Sequence, residues 1–224
     1  MLVNFPDITP PQSADKLGIA LSGNEDQCHV GIVYRPEGDD EPYLLHLAWH
    51  HKLRNDRFAL ERRYVWVDLQ LDDINKFVVA QYCKHIFINN PDRKIPYGFN
   101  MEGKFFDRSG HWIGEEGAGL TCATFVLAVF REMSLPLLKT EEWRPREADK
   151  KWHDKVLEDL KASGASAEHL EKQHKNKGGA RFYPTEVAGS ASSIETPVGF
   201  NDAVDYAEFI LSKLCEYNKR VGIS

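Results

Sequence analysis

The alternation of apolar and polar residues predicts strands in the first third of the chain. Residues 28–34 (CHVGIVY) and 42–49 (PYLLHLAW) are rich in β-branched and large apolar side chains, and the polar stretch 35–41 (RPEGDDE) separates them. This pattern is typical of two antiparallel strands joined by a turn. Residues 17–22 and 64–69 have a similar composition, so we expect four strands in an antiparallel sheet.

Helical spacing replaces this alternation after residue 71. Asp72 and Asp73 predict the N-terminal cap of a helix that runs to about Ile88. The apolar positions at helical spacing are Ile74, Phe77, Val78, Tyr82 and Ile86. The glycine-rich and aromatic-rich stretch that follows, residues 89–119, has no clear period, and it predicts one short strand at 95–99.

A second helix is predicted where Thr121 precedes the strongly apolar segment 122–133 (CATFVLAVFREM). Threonine is a preferred N-cap residue, and Pro136 lies just beyond the end of the segment, where helices commonly stop. Cys122 would therefore be the first residue of this helix.

The composition changes from Thr140 onwards. Residues 141–177 are dense in charge and predict two solvated helices broken at Ser163 and Gly164, and residues 201–219 predict a final amphipathic helix. We expect an α+β core at 17–138 and a helical extension at 139–224 that packs on the same domain. The charged segment 141–177 is also the surface on which we expect any protein partner to dock.

Charge and hydropathy exclude two classes of protein. The 224 residues carry a net charge of −6, whereas binding to nucleic acid requires a basic face. No stretch approaches the roughly 18 apolar residues of a membrane span, so we expect none. The first ten residues (MLVNFPDITP) lack the basic and apolar regions of a signal peptide, which predicts a cytoplasmic protein, with export by another route left open.

One of the four cysteines stands in a position suited to chemistry. The four are Cys28, Cys83, Cys122 and Cys215, and no CxxC spacing predicts a structural zinc site. At a helix N-terminus, unpaired N–H groups favour a thiolate and can stabilise an oxyanion. The small residues before Cys122 would let a substrate approach, which makes Gly119 and Thr121 candidate substrate-binding residues.

Two histidines on the predicted hairpin are candidate partners of this thiol. Strand alternation places His29 and Gly31 on the same face, which leaves room beside the imidazole. His46 on the returning strand would hold the other ring nitrogen of His29 and fix its tautomer. A turn centred on Gly38 pairs His29 with Leu47, so a bulge or a shifted turn is needed to bring His46 to the same face.

A metal site is the weaker interpretation of the histidine-rich stretch. His46, His50 and His51 (HLAWHH) include an i, i+4 pair that could share a zinc ion on a helix. No HExxH motif is present, so we expect no metal and no cofactor, and we expect His50 and His51 to lie on the surface.

These motifs together resemble a known family. The hairpin CHVGIVY…YLLHLAW is similar to the catalytic hairpin of NlpC-type cell-wall peptidases, roughly H-V-G-I-Y followed by an apolar run ending in H-A. Residues 120–126 (LTCATFV) resemble the D-C-S-G-F-V segment that opens the nucleophile helix of that family, with C-x-x-F-V retained and the Asp and Ser-Gly replaced. The order His29, His46, Cys122 resembles the circularly permuted branch of the papain-like superfamily, which includes lecithin:retinol acyltransferase-like proteins.

The resemblance covers residues 17–135 and implies a papain-like α+β fold. It also implies that Cys122 is the nucleophile, His29 the general base and His46 the residue that orients the base. The expected reaction is hydrolysis of an amide bond, in a peptide or peptide-like conjugate, through a thioester acyl-enzyme. Acyl transfer or thioester hydrolysis by the same triad, and an inactive papain-like binding module, are the alternatives.

Overall fold

Five antiparallel strands form the sheet of this protein in the computed structural model, which describes residues 2–60, 63–99 and 101–223. They are β1 (Leu17–Gly23), β2 (Cys28–Tyr34), β3 (Tyr43–Trp49), β4 (Lys52–Arg57) and β5 (Val65–Asp68), in the spatial order β4-β3-β2-β1-β5. Four of the five match the predicted strands. Strand β4 was not predicted, because its sequence KLRNDR is mostly charged, as is typical of an exposed edge strand.

Six α-helices complete the described part of the chain, which is α+β. They are α1 (Asp73–Asn89), α2 (Cys122–Glu132), α3 (Asp149–Ala162), α4 (Ala167–Asn176), α5 (Pro184–Ser190) and α6 (Phe200–Val221). The short helix α5 was not predicted, since seven residues with Gly and Ser show too little periodicity. Among the described residues, we find no helix with the length and apolar character needed to cross a bilayer.

Two predictions about the middle of the chain were wrong in part or in full. Helix α1 has nearly its predicted bounds, and Tyr82 and Ile86 are buried as their spacing suggests. The other three apolar positions, Ile74, Phe77 and Val78, are exposed. The apolar residues surround much of this helix, so their spacing did not define one face. The predicted strand at 95–99 is irregular, because its backbone bonds are shared between the 51–53 segment and Leu120.

The two faces of the sheet carry different hydrophobic clusters. Helices α1, α2, α5 and α6 pack with the large cluster, which includes Val30, Ile32 and Leu45. The alternate positions of the strands, such as Val33 and Leu44, point to a smaller cluster built around Trp66, Phe58 and Tyr64.

The C-terminal extension shares the large core with the strands. Helix α5 packs on β1, β2 and α2, and α6 covers α5. The side chains of Ile210 and Leu214 on α6 are fully buried. The segment 139–224 is therefore part of the structure that supports β2.

Truncation of a buried residue in α6 tests this integration. We expect Ile210→Ala to lower the free energy of unfolding by about 2–5 kcal/mol, because it leaves a cavity in the shared core. The matched substitution Ile194→Ala, at a side chain that is 84% exposed, should change it by less than about 0.5 kcal/mol. Urea unfolding of the full chain measures both. Equal effects of the two variants would show that the extension does not contribute to the core.

Candidate active site

The first turn of α2 is formed by two threonines. The Thr121 hydroxyl accepts the Thr124 N–H at 3.1 Å, and the Thr124 hydroxyl accepts the Thr121 N–H at 2.7 Å. This reciprocal capping box fixes the start of the helix at Cys122. Because the cap uses the N–H of the third helical residue, the N–H groups of Cys122 and Ala123 stay free to face a ligand or the thiol.

The N-terminus of α2 lies at a gap in the sheet. Strands β2 and β3 pair at Ile32–Leu45, Val33–Leu44 and Tyr34–Tyr43, and not beyond. Val30 would be the next residue to bond to β3, but its N–H faces the Cys122 sulfur instead. The nucleophile candidate thus lies against the backbone of β2, one residue away from His29.

Burial keeps the Cys122 thiol neutral. The residue is 5% exposed, and this burial raises the pKa of its thiol. The N–H groups of Val30 and Ala123 and the charge of Arg181 oppose the shift without reversing it. The helix N-terminus therefore does not produce a resting thiolate, in contrast to the expectation from sequence.

A chain of three side chains runs across the strands beside this thiol. His46 Nε2 lies 2.9 Å from Asp56 Oδ2, and His46 Nδ1 lies 2.7 Å from His29 Nε2. Burial opposes ionisation of Asp56, but hydrogen bonds from His46 and Arg54 lower the pKa of its carboxyl. Burial lowers the pKa of His29 to about 3, with a smaller effect from His46. The chain consists of a carboxylate and two neutral imidazoles.

The ionised carboxylate fixes the direction of every hydrogen bond in this chain. A carboxylate only accepts, so His46 donates Nε2–H to Asp56 and its Nδ1 carries a lone pair. His29 must then donate Nε2–H to His46, which leaves a lone pair on His29 Nδ1. Among the described residues, this nitrogen has no hydrogen-bond partner. His29 is therefore held in the tautomer whose Nδ1 can accept a proton.

The structure brings together some of the predicted site residues and not others. His29 and His46 share a face because of a shifted turn, since the register Ile32–Leu45 has no bulge and places His46 opposite Gly31. Their rings lie on the face of the small cluster, near Tyr64. Cys122 packs in the large cluster, and no hydrogen bond joins its thiol to His29.

The two predicted substrate-binding residues have different surroundings. Thr121 lines a small cavity in front of Cys122, although its hydroxyl is used in the helix cap. Gly119 does not line this cavity: a Cβ there would lie 2.8 Å from the Tyr97 carbonyl carbon and the Gly98 nitrogen. The small size of Gly119 therefore allows close packing against residues 97–98. It does not open a path for a substrate.

The cavity in front of Cys122 has a volume of about 40 Å³ and walls from distant parts of the chain. The Tyr97 hydroxyl faces the Cys122 thiol and backbone N–H. Cys28, Trp152, Arg181 and Phe182 also line it. Apart from Cys28, which alternation places on the same face as Val30, no sequence signal pointed to these residues, since only folding brings them to α2. Asp56 was missed because no strand was predicted at residues 52–57.

The other histidines of the HLAWHH stretch form a separate cluster. His50 is 8% exposed and not on the surface, because its Nδ1 accepts the Tyr97 N–H and its ring lies 5.0 Å from that of His169. His169 Nε2 bonds to the Tyr97 carbonyl at 2.8 Å. The described residues contain no group of three His, Cys, Asp or Glu arranged for a metal ion. The rings of His50 and His169 instead hold the backbone of Tyr97 in place.

Comparison of the chain with protein-family models, with curated proteins and with solved structures finds no match. The chemistry of the site is therefore argued from its own geometry.

The buried histidines predict a loss of stability in mild acid. The pKa values of His29 and His50 are lowered by burial to about 3 and about 4. Below the unfolded-state pKa of about 6.5, the unfolded chain binds protons that the folded chain does not, so stability falls as the pH decreases toward these values. We expect the free energy of unfolding to decrease by about 1–2 kcal/mol per buried neutral histidine between pH 7.5 and 5.

Urea unfolding at several pH values measures this decrease in the wild type and in His29→Gln, in which the slope should be smaller. A wild-type stability that is constant or rises from pH 7.5 to 5 would contradict the neutral state of these imidazoles.

Proposed function

We propose that this protein is a cysteine hydrolase of the peptidase or amidase type, with Cys122 as nucleophile, His29 as general base and His46 as the residue that orients the base. The observation that carries the proposal is the directional hydrogen-bond chain from Asp56 through His46 to His29. It leaves a free lone pair on His29 Nδ1 at the strand segment that contacts Cys122 through the Val30 N–H. A neutral imidazole with one nitrogen held by an orienting partner and the other free is the group that accepts a proton from a nucleophile in a catalytic triad.

Both reactive groups are neutral at rest, because burial raises the pKa of the Cys122 thiol and lowers that of His29. The proposed reaction therefore transfers the thiol proton during attack and does not start from a stable thiolate–imidazolium pair. In the free protein the His29 ring lies on the face of the small cluster and Cys122 packs in the large one. The proposal requires that substrate binding brings the Cys122 sulfur and His29 Nδ1 together at the gap between β2 and β3 and raises the pKa of His29.

Two donors face the position where an oxyanion would form. The Cys122 backbone N–H is free of the helix cap, and the Tyr97 hydroxyl lies beside it. Hydrogen-bond donors placed in advance at this position stabilise the tetrahedral intermediate of acyl transfer. The clamp of His50 and His169 on the Tyr97 backbone would hold this hydroxyl in place.

The proposed reaction has two steps. His29 Nδ1 takes the thiol proton while Cys122 Sγ bonds to the carbonyl carbon, and His29 then gives that proton to the departing amine as the C–N bond breaks. A water molecule, deprotonated by His29, attacks the thioester and releases the carboxylic acid and the free thiol. Transfer to another acyl acceptor differs only in the attacking group, so acyl transfer is the alternative outcome of the same site.

We also propose that the fold is papain-like with a permuted order of catalytic residues. Three features support this: an antiparallel sheet, a nucleophile helix whose N-terminus meets the sheet at the gap between β2 and β3, and the base on the neighbouring strand. The roles in such a triad depend on geometry and not on chain order. The cavity of about 40 Å³ is much smaller than the roughly 300–1,000 Å³ of a typical ligand site, so the proposal requires that a substrate opens it on binding.

Alkylation of the four cysteines by iodoacetamide tests the nucleophile and its base. We expect Cys122 to label faster at pH 7 than the other three, and His29→Ala and His46→Ala to slow it by roughly tenfold or more, because the base or its orientation is lost. Peptide mass spectrometry gives the rate at each cysteine. His85→Ala, at an exposed histidine, is the control and should have no effect.

If Cys122 labels no faster than Cys28, Cys83 or Cys215, or if its rate does not depend on His29, the enzyme proposal is wrong. The inactive binding module would then be the better interpretation.

The direction of the hydrogen-bond chain makes a sharper prediction. In Asp56→Asn the side-chain amide can donate to His46, which reverses both tautomers and protonates His29 Nδ1. We expect Cys122 labelling to fall to the level of His29→Ala, although no volume is lost. Asp40→Asn, at an exposed aspartate, is the matched control. Wild-type labelling in Asp56→Asn would show that the chain does not orient the base.

A further inference from the structure

Arg181 is held rigidly at the wall of the Cys122 cavity. Its guanidinium lies 3.9 Å from the ring centre of Trp152 and 4.6 Å from that of Tyr183. Nη1 contacts Asp149 Oδ1 at 3.4 Å, and the side chain is 20% exposed. Aromatic faces on a guanidinium fix its plane and reduce the entropy lost on binding. The residue is therefore organised in advance for a planar ligand.

Most of the donor capacity of Arg181 is unused. Among the residues that the structure describes, only Nη1 of Arg181 donates a hydrogen bond, and Nε and Nη2 have no hydrogen-bond partner. Neither Nε nor Nη2 is buried away from solvent. Burial raises the pKa of Cys28 to about 12 and raises that of Cys122, and the Arg181 charge opposes both shifts, so this cation acts on the same cavity as the two thiols.

We propose that Arg181 is a specificity-determining residue that binds a carboxylate of the substrate close to the bond that Cys122 attacks. The free edge of the guanidinium presents two parallel donors, the geometry that a carboxylate accepts in bidentate fashion. This inference rests on the proposed function, because it assumes that the substrate carbonyl is placed at Cys122.

The charge balance of the site favours a carboxylate over a phosphate group. Asp149 is 1% exposed and already neutralises part of the Arg181 charge. The other residues that line the cavity, among them Gln27, Trp152 and Phe182, are uncharged and supply no second cation. A group with a single negative charge can be compensated here, whereas a dianion would remain partly unpaired. The substrates expected are peptide-like amides with an acidic side chain or a free α-carboxylate beside the scissile bond.

Two alkylating reagents that differ only in this charge test the proposal. Iodoacetate carries a carboxylate one carbon from the reacting centre, and iodoacetamide carries a neutral amide of the same size. The measured quantity is the ratio of their rates at Cys122, divided by the same ratio for 2-mercaptoethanol in the same buffer. We expect this normalised ratio to be roughly tenfold above one in the wild type, because charge-assisted hydrogen bonds guide iodoacetate to the thiol.

Variants at Arg181 identify the source of the preference. Arg181→Gln should bring the normalised ratio to within about twofold of one, and Arg181→Lys should retain part of it, because charge remains without the planar fork. Arg144→Gln removes the same charge at an exposed position nearby and should keep the wild-type ratio. A wild-type ratio near one, or a high ratio that persists in Arg181→Gln, would overturn the proposal.

The same data separate this inference from the proposed function. Slow labelling of Cys122 by both reagents would refute the nucleophile, whereas fast labelling by iodoacetamide without a preference for iodoacetate would refute only the role of Arg181. If Arg181→Gln does not fold, the test is the protection of Cys122 from iodoacetamide in the wild type. Propionate, and not propionamide, should slow iodoacetamide at Cys122 in a saturable way, and equal protection by both would overturn the proposal.

Discussion

The separation of β2 and β3 beyond Ile32 is the constraint on which the site depends. If the two strands stayed paired, the Val30 N–H would bond to β3 and the N-terminus of α2 would have no place against the sheet. Because they separate, the freed N–H faces the Cys122 sulfur, and the side chains of His29 and His46 meet across the two strands. One interruption of the ladder thus gives the Cys122 thiol its place beside β2, on the strand that carries His29.

Burial then decides the protonation state of each group. A thiol and an imidazole removed from water both prefer their neutral forms, and this preference exceeds the effect of the helix N-terminus on Cys122. The Asp56 carboxylate, more exposed and bonded to Arg54, remains ionised and sets the direction of the hydrogen bonds. The result is a neutral His29 imidazole with a defined free lone pair on Nδ1.

The C-terminal extension serves both stability and the site. Its last helices complete the core behind β1 and β2, while Trp152, Arg181 and Phe182 form one wall of the cavity. Helix α4 also fixes the opposite wall, since Gln173 is fully buried and bonds to the Phe99 N–H and the Gly117 carbonyl. The extension therefore supplies residues that line the Cys122 cavity, in a segment to which the family resemblance does not extend.

Local patterns in the sequence determined four of the strands, five of the six described α-helices and the cap at Thr121, because period, β-branching and capping act over a few residues. They also identified Cys122, His29 and His46 as the residues to examine. Tertiary structure decided the strand register that pairs the histidines, the role of Asp56 on an edge strand, and the arrival of Tyr97 and Arg181 at the thiol. These contacts join residues far apart in the chain. Their formation depends on which surfaces bury together, and no short-range pattern encodes that choice.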